Sequence, residues 1–112
     1  MLRFSRVLVS LIFLGAGCVG VTAQTRTQLI ASGKAIAMRH CSACHALGSS
    51  GASPLRAAPP FRLLKTRYDL DNLQEAFVEG IAVGHRGAEM PEFQFTPDAT
   101  EALIAFLKSL KR

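Results

Sequence analysis

Cysteine is scarce in this chain. There are three in 112 residues, and two of them share one pentapeptide, Cys41-Ser42-Ala43-Cys44-His45. No disulfide framework is implied. No second CxxC and no HxxxH follows, so the usual four-ligand zinc site lacks half its donors. The βαβ surroundings of a thioredoxin-like dithiol are missing as well. There is no basic run and no set of interleaved aromatics, and nothing points to nucleic acid. No internal repeat and no strand pattern is visible. The longest apolar stretch covers residues 7–21 and is broken by Ser10, Gly15, Gly17 and Gly20. It falls short of the ~20 apolar residues that a spanning helix needs.

That stretch reads instead as part of an export signal over residues 1–23. Arg3 and Arg6 supply a positive n-region, and Val21-Thr22-Ala23 offers small residues before Gln24, a cleavage pattern. Two other readings stand beside it. One is an uncleaved anchor facing the periplasm. The other is lipidation at Cys18, although a lipobox wants Leu where Gly15 stands. Cleavage leaves residues 24–112, a small domain for a purely apolar core. Arg3 and Arg6 account for two of the five net positive charges, so the sequence pI of about 9.6 overstates the mature basicity.

The pentapeptide has the CxxCH spacing of a c-type haem attachment site. Two thiols one short turn apart can add to the two vinyl groups of one haem. His45, next in sequence, is then held where its imidazole can bind the iron. One large, flat, apolar cofactor would also supply core volume that so short a chain lacks.

Helical periodicity predicts three main helices. Leu29, Ile30, Gly33, Ile36 and Ala37 mark a first helix over 27–39. A second runs over 71–79, with Asp71 and Gln74 at capping-box spacing and Gly80 as its stop. A third runs over 96–110, with Thr96 as N-cap, Pro97 at the first position and a Leu103, Phe106, Leu107, Leu110 stripe. Residues 46–60 are rich in Gly, Ser, Ala and Pro. A loop of that length in a small domain is expected to wrap something. The fold class is all-α, with long loops around a cofactor.

Iron bound by His45 has a second axial position. Met38, His40, His85 and Met90 are the candidates. Met38 and His40 are tethered beside Cys41. Met90 lies beyond a glycine-containing loop and precedes Pro91, so it can fold over the opposite face; His85 is its competitor. A ligating His usually donates its other N–H to a carbonyl, and the Ala58-Pro59-Pro60 segment is the candidate acceptor. Arg62, Arg67 or Tyr68 can reach a propionate.

These motifs, in order, resemble class I cytochromes c of the small monohaem bacterial type. The resemblance covers residues 27–112. It rests on Gly33-Lys34-x-Ile36, the CxxCH, the Pro59 region, Met90-Pro91-x-Phe93 and Leu103-Ile104-Ala105-Phe106-Leu107. It implies that first and last helices cross at Gly33 and Phe106, and that Pro59 matches the proline whose carbonyl accepts from the axial His. Ala37 departs from the family, which often has an aromatic there. Tryptophan is absent, so a family-type indole contact to a propionate is impossible.

The expected function is one-electron carriage in the bacterial periplasm by one haem c, attached through Cys41 and Cys44, with His45 and Met90 as iron ligands. No enzymatic activity is expected. The expected partners are redox proteins with acidic docking faces, met by a monomer without stable membrane insertion. Alternatives are a haem subunit of a periplasmic dehydrogenase or oxidase complex, and a haem-based gas sensor or peroxidase-like enzyme with a vacant distal site.

Overall fold

The computed structural model describes residues 23–80, 84–85 and 88–111, the side chains of 84, 85 and 88 excepted. The expected export segment, with Cys18, lies outside them apart from Ala23. Four helices dominate: α1 (Arg26–His40), α2 (Leu64–Arg67), α3 (Leu70–Glu79) and α4 (Pro97–Ser109), with a 3-10 turn at Phe61–Leu63. The all-α expectation holds. No strand was foreseen, yet Gly84–His85 (β1) pairs antiparallel with Ala88–Glu89 (β2) in a two-residue ladder. A ladder so short carries no periodicity for a sequence to display.

The helix ends follow from their caps. Gln28 N–H donates to Thr25 Oγ1 while Thr25 N–H donates to the Gln28 side chain, a reciprocal capping box. This start was not foreseen. At α3 the expected cap is displaced. Asp69, not Asp71, is the N-cap, and its carboxylate accepts from Asp71 N–H at 2.9 Å. Asp69 has extended backbone and can present its side chain to the exposed first turn. Asp71 lies inside that turn. Gly80 stops α3 with φ +108°, a conformation that favours glycine. Thr96 accepts from Ala99 N–H, and Pro97 opens α4 as expected.

The α1–α4 crossing is the main joint of the fold. A Cβ at Gly33 would strike the Ala102 carbonyl and come within 2.9 Å of Phe106 Cβ. Glycine is required by that close approach, and the crossing involves the two positions the sequence singles out. Ala37, where an aromatic was missed, is fully buried and belongs to one core with Leu103, Phe106 and Leu107. Each buried leucine or phenylalanine side chain contributes roughly 1.5–3 kcal/mol. α3 also packs on α4, and the space left between these helices and the 41–60 segment forms the site.

Candidate cofactor site

At the end of α1 the Ala37 carbonyl accepts from both Cys41 N–H and Ser42 N–H. The helix therefore stops where the pentapeptide begins. Cys44 N–H and His45 N–H then both donate to the Cys41 carbonyl, at 3.1 and 2.9 Å. This single turn orders the two sulfurs and the imidazole on one short piece of chain.

The loop that follows is pinned back onto that turn. Leu55 N–H donates to the Cys44 carbonyl, Ala46 N–H to Ser53 Oγ, and Phe61 N–H to the Ala46 carbonyl. Cys44 and Ala46, on either side of His45, are thereby tied, and Ser53 is buried in the process. The result delivers the Pro59 carbonyl to His45 Nδ1 at 2.7 Å. A carbonyl oxygen can only accept, so Nδ1 carries a proton and is the donor. His45 is 7 % exposed and rests against the Phe61 ring, centroids 5.0 Å apart.

His45 and Cys41 face an apolar cleft whose other walls include Phe61 and Leu64, Leu73 and Phe77 of α3, and Leu103 and Leu107 of α4. Met90 and Tyr68 complete it. Met90 is half-buried and packs against the core. Burial first, and then neighbouring Cys44, push the Cys41 thiol up to about 11. At neutral pH that sulfur is uncharged. The cleft thus accommodates neutral sulfur, which a thioether would also be.

The other ligand candidates lie elsewhere. Met38 is 57 % exposed and lines a separate groove. His40 is exposed, with its ring edge-on to Phe93 and Phe95 at 5.9 and 5.5 Å. It borders a second hollow, shared by Cys41, Cys44, His45 and Met90. The His85 side chain lies outside the described residues. Of the three expected propionate donors, Tyr68 alone lines the apolar cleft. Arg62 donates from Nη2 to the Gly51 carbonyl at 2.8 Å, while its buried Nη1 has no hydrogen-bond partner.

Sequence reasoning missed how the Met90 segment is held. Phe95 N–H donates to the Phe77 carbonyl at 2.9 Å, and the Gln94 side chain donates to the Val78 carbonyl at 3.2 Å. Phe93 and Phe95 stack within 5° of parallel, and Phe95 meets Phe77 at 5.7 Å. The aromatic spacing Phe93-x-Phe95 was the available signal.

A family model for cytochrome c matches residues 30–111. The chain belongs to the cytochrome c family. No curated protein and no solved structure matches it. Membership in the cytochrome c family brings covalently bound haem c and haem-based electron transfer. The features of this cytochrome c fit that group. Its cleft is walled mainly by hydrocarbon, carries a neutral thiol and a thioether side chain, and contains an imidazole whose proton is already fixed on the nitrogen facing Pro59. No helix among the described residues is long and apolar enough to cross a membrane.

Proposed function

We propose that this cytochrome c is a monohaem one-electron carrier of the bacterial periplasm, with His45 and Met90 as axial ligands. The observation that carries the proposal is the Pro59–His45 hydrogen bond at the wall of a cleft that also contains Cys41 and Met90. The bound group supplies reversible Fe(II)/Fe(III) chemistry. The protein's part is to hold it. Cys41 and Cys44 anchor it, and Pro59 fixes the tautomer and orientation of His45. His45 and Met90 would hold the iron of the bound group between them, which would leave it no free position for a substrate. A thioether favours the reduced state and raises the potential relative to a second imidazole. Leucine and phenylalanine side chains exclude water. Tyr68 can donate to a propionate from the cleft wall.

Acid–acetone extraction of native protein tests the anchor. Colour should remain with the polypeptide, and a thiol assay in denaturant should find neither Cys41 nor Cys44 free. Complete loss of colour to the solvent would reject the proposal. The mass of the same material should correspond to a chain starting at Gln24 plus one haem. A full-length or lipidated species would overturn the export reading alone.

A further inference from the structure

The Pro59-Pro60-Phe61 tripeptide grips the His45-Ala46 dipeptide through backbone and side chain together. His45 Nδ1 donates to the Pro59 carbonyl at 2.7 Å. Phe61 N–H donates to the Ala46 carbonyl at 2.9 Å. The Phe61 ring lies against the imidazole, with centroids 5.0 Å apart and planes tilted by 51°. The two hydrogen bonds ask nothing of the side chain at position 61. The ring contact depends on it entirely.

Phe61 has little freedom of its own. Pro60 before it is ring-locked at φ −57°. Phe61 then opens the Phe61–Leu63 turn, where Leu63 N–H donates to the Pro60 carbonyl and Leu64 N–H to the Phe61 carbonyl. Its ring is buried and lines the cleft beside His45. A buried ring on a pinned backbone acts as a fixed wall.

The imidazole needs such a wall. A carbonyl oxygen accepts hydrogen bonds over a broad range of directions. Rocking of the His45 ring about its bond to Pro59 therefore costs that bond little. The same rocking changes the tilt against Phe61, at a separation where aromatic pairs have preferred geometries.

We infer that Phe61 is a positioning residue: its ring sets the direction of the His45 imidazole plane, while the Pro59 carbonyl holds Nδ1. This inference rests on the carrier function proposed above, with His45 on the iron, and adds what orients that ligand. The plane of an axial imidazole selects the axis along which the unpaired electron of ferric haem spreads over the macrocycle. Groups behind a ligating His tune the metal by orienting that ring. Mere volume filling makes a different claim. Leucine at position 61 keeps an apolar wall and both hydrogen bonds, so a filler role predicts lower stability and an unmoved plane.

The test uses the haem-loaded protein with cyanide added to the ferric state. Cyanide is linear and replaces whichever group holds the second axial position, so the haem-methyl proton shifts report the histidine plane alone. Phe61→Leu should change the order or spacing of those signals, with the covalent haem and the iron–histidine bond retained. Ile104→Val, a truncation at a buried position of α4, should lower stability and leave the pattern where it is. The reduced parent without cyanide should show nuclear Overhauser contacts between the Phe61 and His45 rings. If Phe61→Leu does not accumulate with covalent haem, Phe61→Met replaces it with the same expectation. A parental methyl pattern in the position 61 variant, an equal change in Ile104→Val, or missing ring contacts in the parent would overturn the positioning role. Absence of covalent haem, or of the signals of an iron-bound histidine in the parent, would instead overturn the proposed function.

Discussion

The two segments that bring sulfur and nitrogen to the cleft are held in different ways. The 41–61 segment is fastened by main-chain hydrogen bonds at Cys41, Cys44, Ala46 and Phe61, with Pro59 and Pro60 limiting the backbone. Between described residues the 90–95 segment shows the main-chain bond from Phe95 to Phe77, and Phe93 sits in an isolated bridge. Side chains add the Phe93–Phe95 stack, the His40 edge contacts and Gln94. Backbone fastening keeps its geometry when one side chain is changed. Ring packing does not. The His45 side of the site is therefore the robust one, and the Met90 side is the one a single substitution can loosen.

Met90→Ala should give the largest effect. It should abolish the weak sulfur-to-iron band of the oxidised protein, lower the potential, and let the reduced protein bind carbon monoxide. His85→Ala should do none of these. The reverse pattern in the absorption spectra would assign the second axial position to His85 and reject Met90.

Phe95→Ala comes next. It removes the ring that touches Phe93, Phe77 and His40 but keeps the backbone bond to Phe77. A half-buried phenylalanine of this kind should cost about 2–3 kcal/mol in denaturant unfolding. Partial carbon monoxide binding should accompany the loss, because the Met90 segment is no longer pressed down. If the variant is as stable as the parent and stays closed to carbon monoxide, the ring cluster is not what holds Met90.

Pro59→Ala should give the smallest effect. The accepting atom is a backbone carbonyl, and alanine retains it. The loss should be below about 1 kcal/mol, mostly from a less restricted unfolded chain. The potential should hardly move. A larger destabilisation than that of Phe95→Ala would reverse the comparison between the two segments.

The same contrast explains what could be read from the sequence. CxxCH and the prolines are local signals. They pointed to Cys41, Cys44, His45 and the Ala58-Pro59-Pro60 segment; the family resemblance narrowed the segment to Pro59, and the structure has the Pro59 carbonyl on His45 Nδ1. Gly33 was legible because a mid-helix glycine signals close approach; the family resemblance paired it with Phe106, and the α1–α4 crossing brings the two together. The Asp71 cap was misplaced by two residues because Asp69 and Asp71 are both suitable caps, and only backbone conformation selects between them. The 61–67 turns and the β1–β2 ladder were missed because elements of two to four residues show no period. The clamp on Met90 was missed for another reason. Its partners, Phe77 and His40, are distant in sequence, and no local pattern pairs them.

The glycine crossing also separates tolerance of length from tolerance of volume. α1 and α4 meet near the two ends of the described chain, so their contact closes one long loop that contains the whole site. Closure entropy grows slowly, by only about 0.6 kcal/mol for each doubling of a loop. Extra residues at exposed Gly48–Ser49 should therefore cost the joint almost nothing. A single methyl at position 33 is another matter, since the Ala102 carbonyl in its way belongs to a helix backbone and cannot swing aside. Variation among chains that close in this way should accumulate as insertions in the loops, while position 33 remains without a side chain.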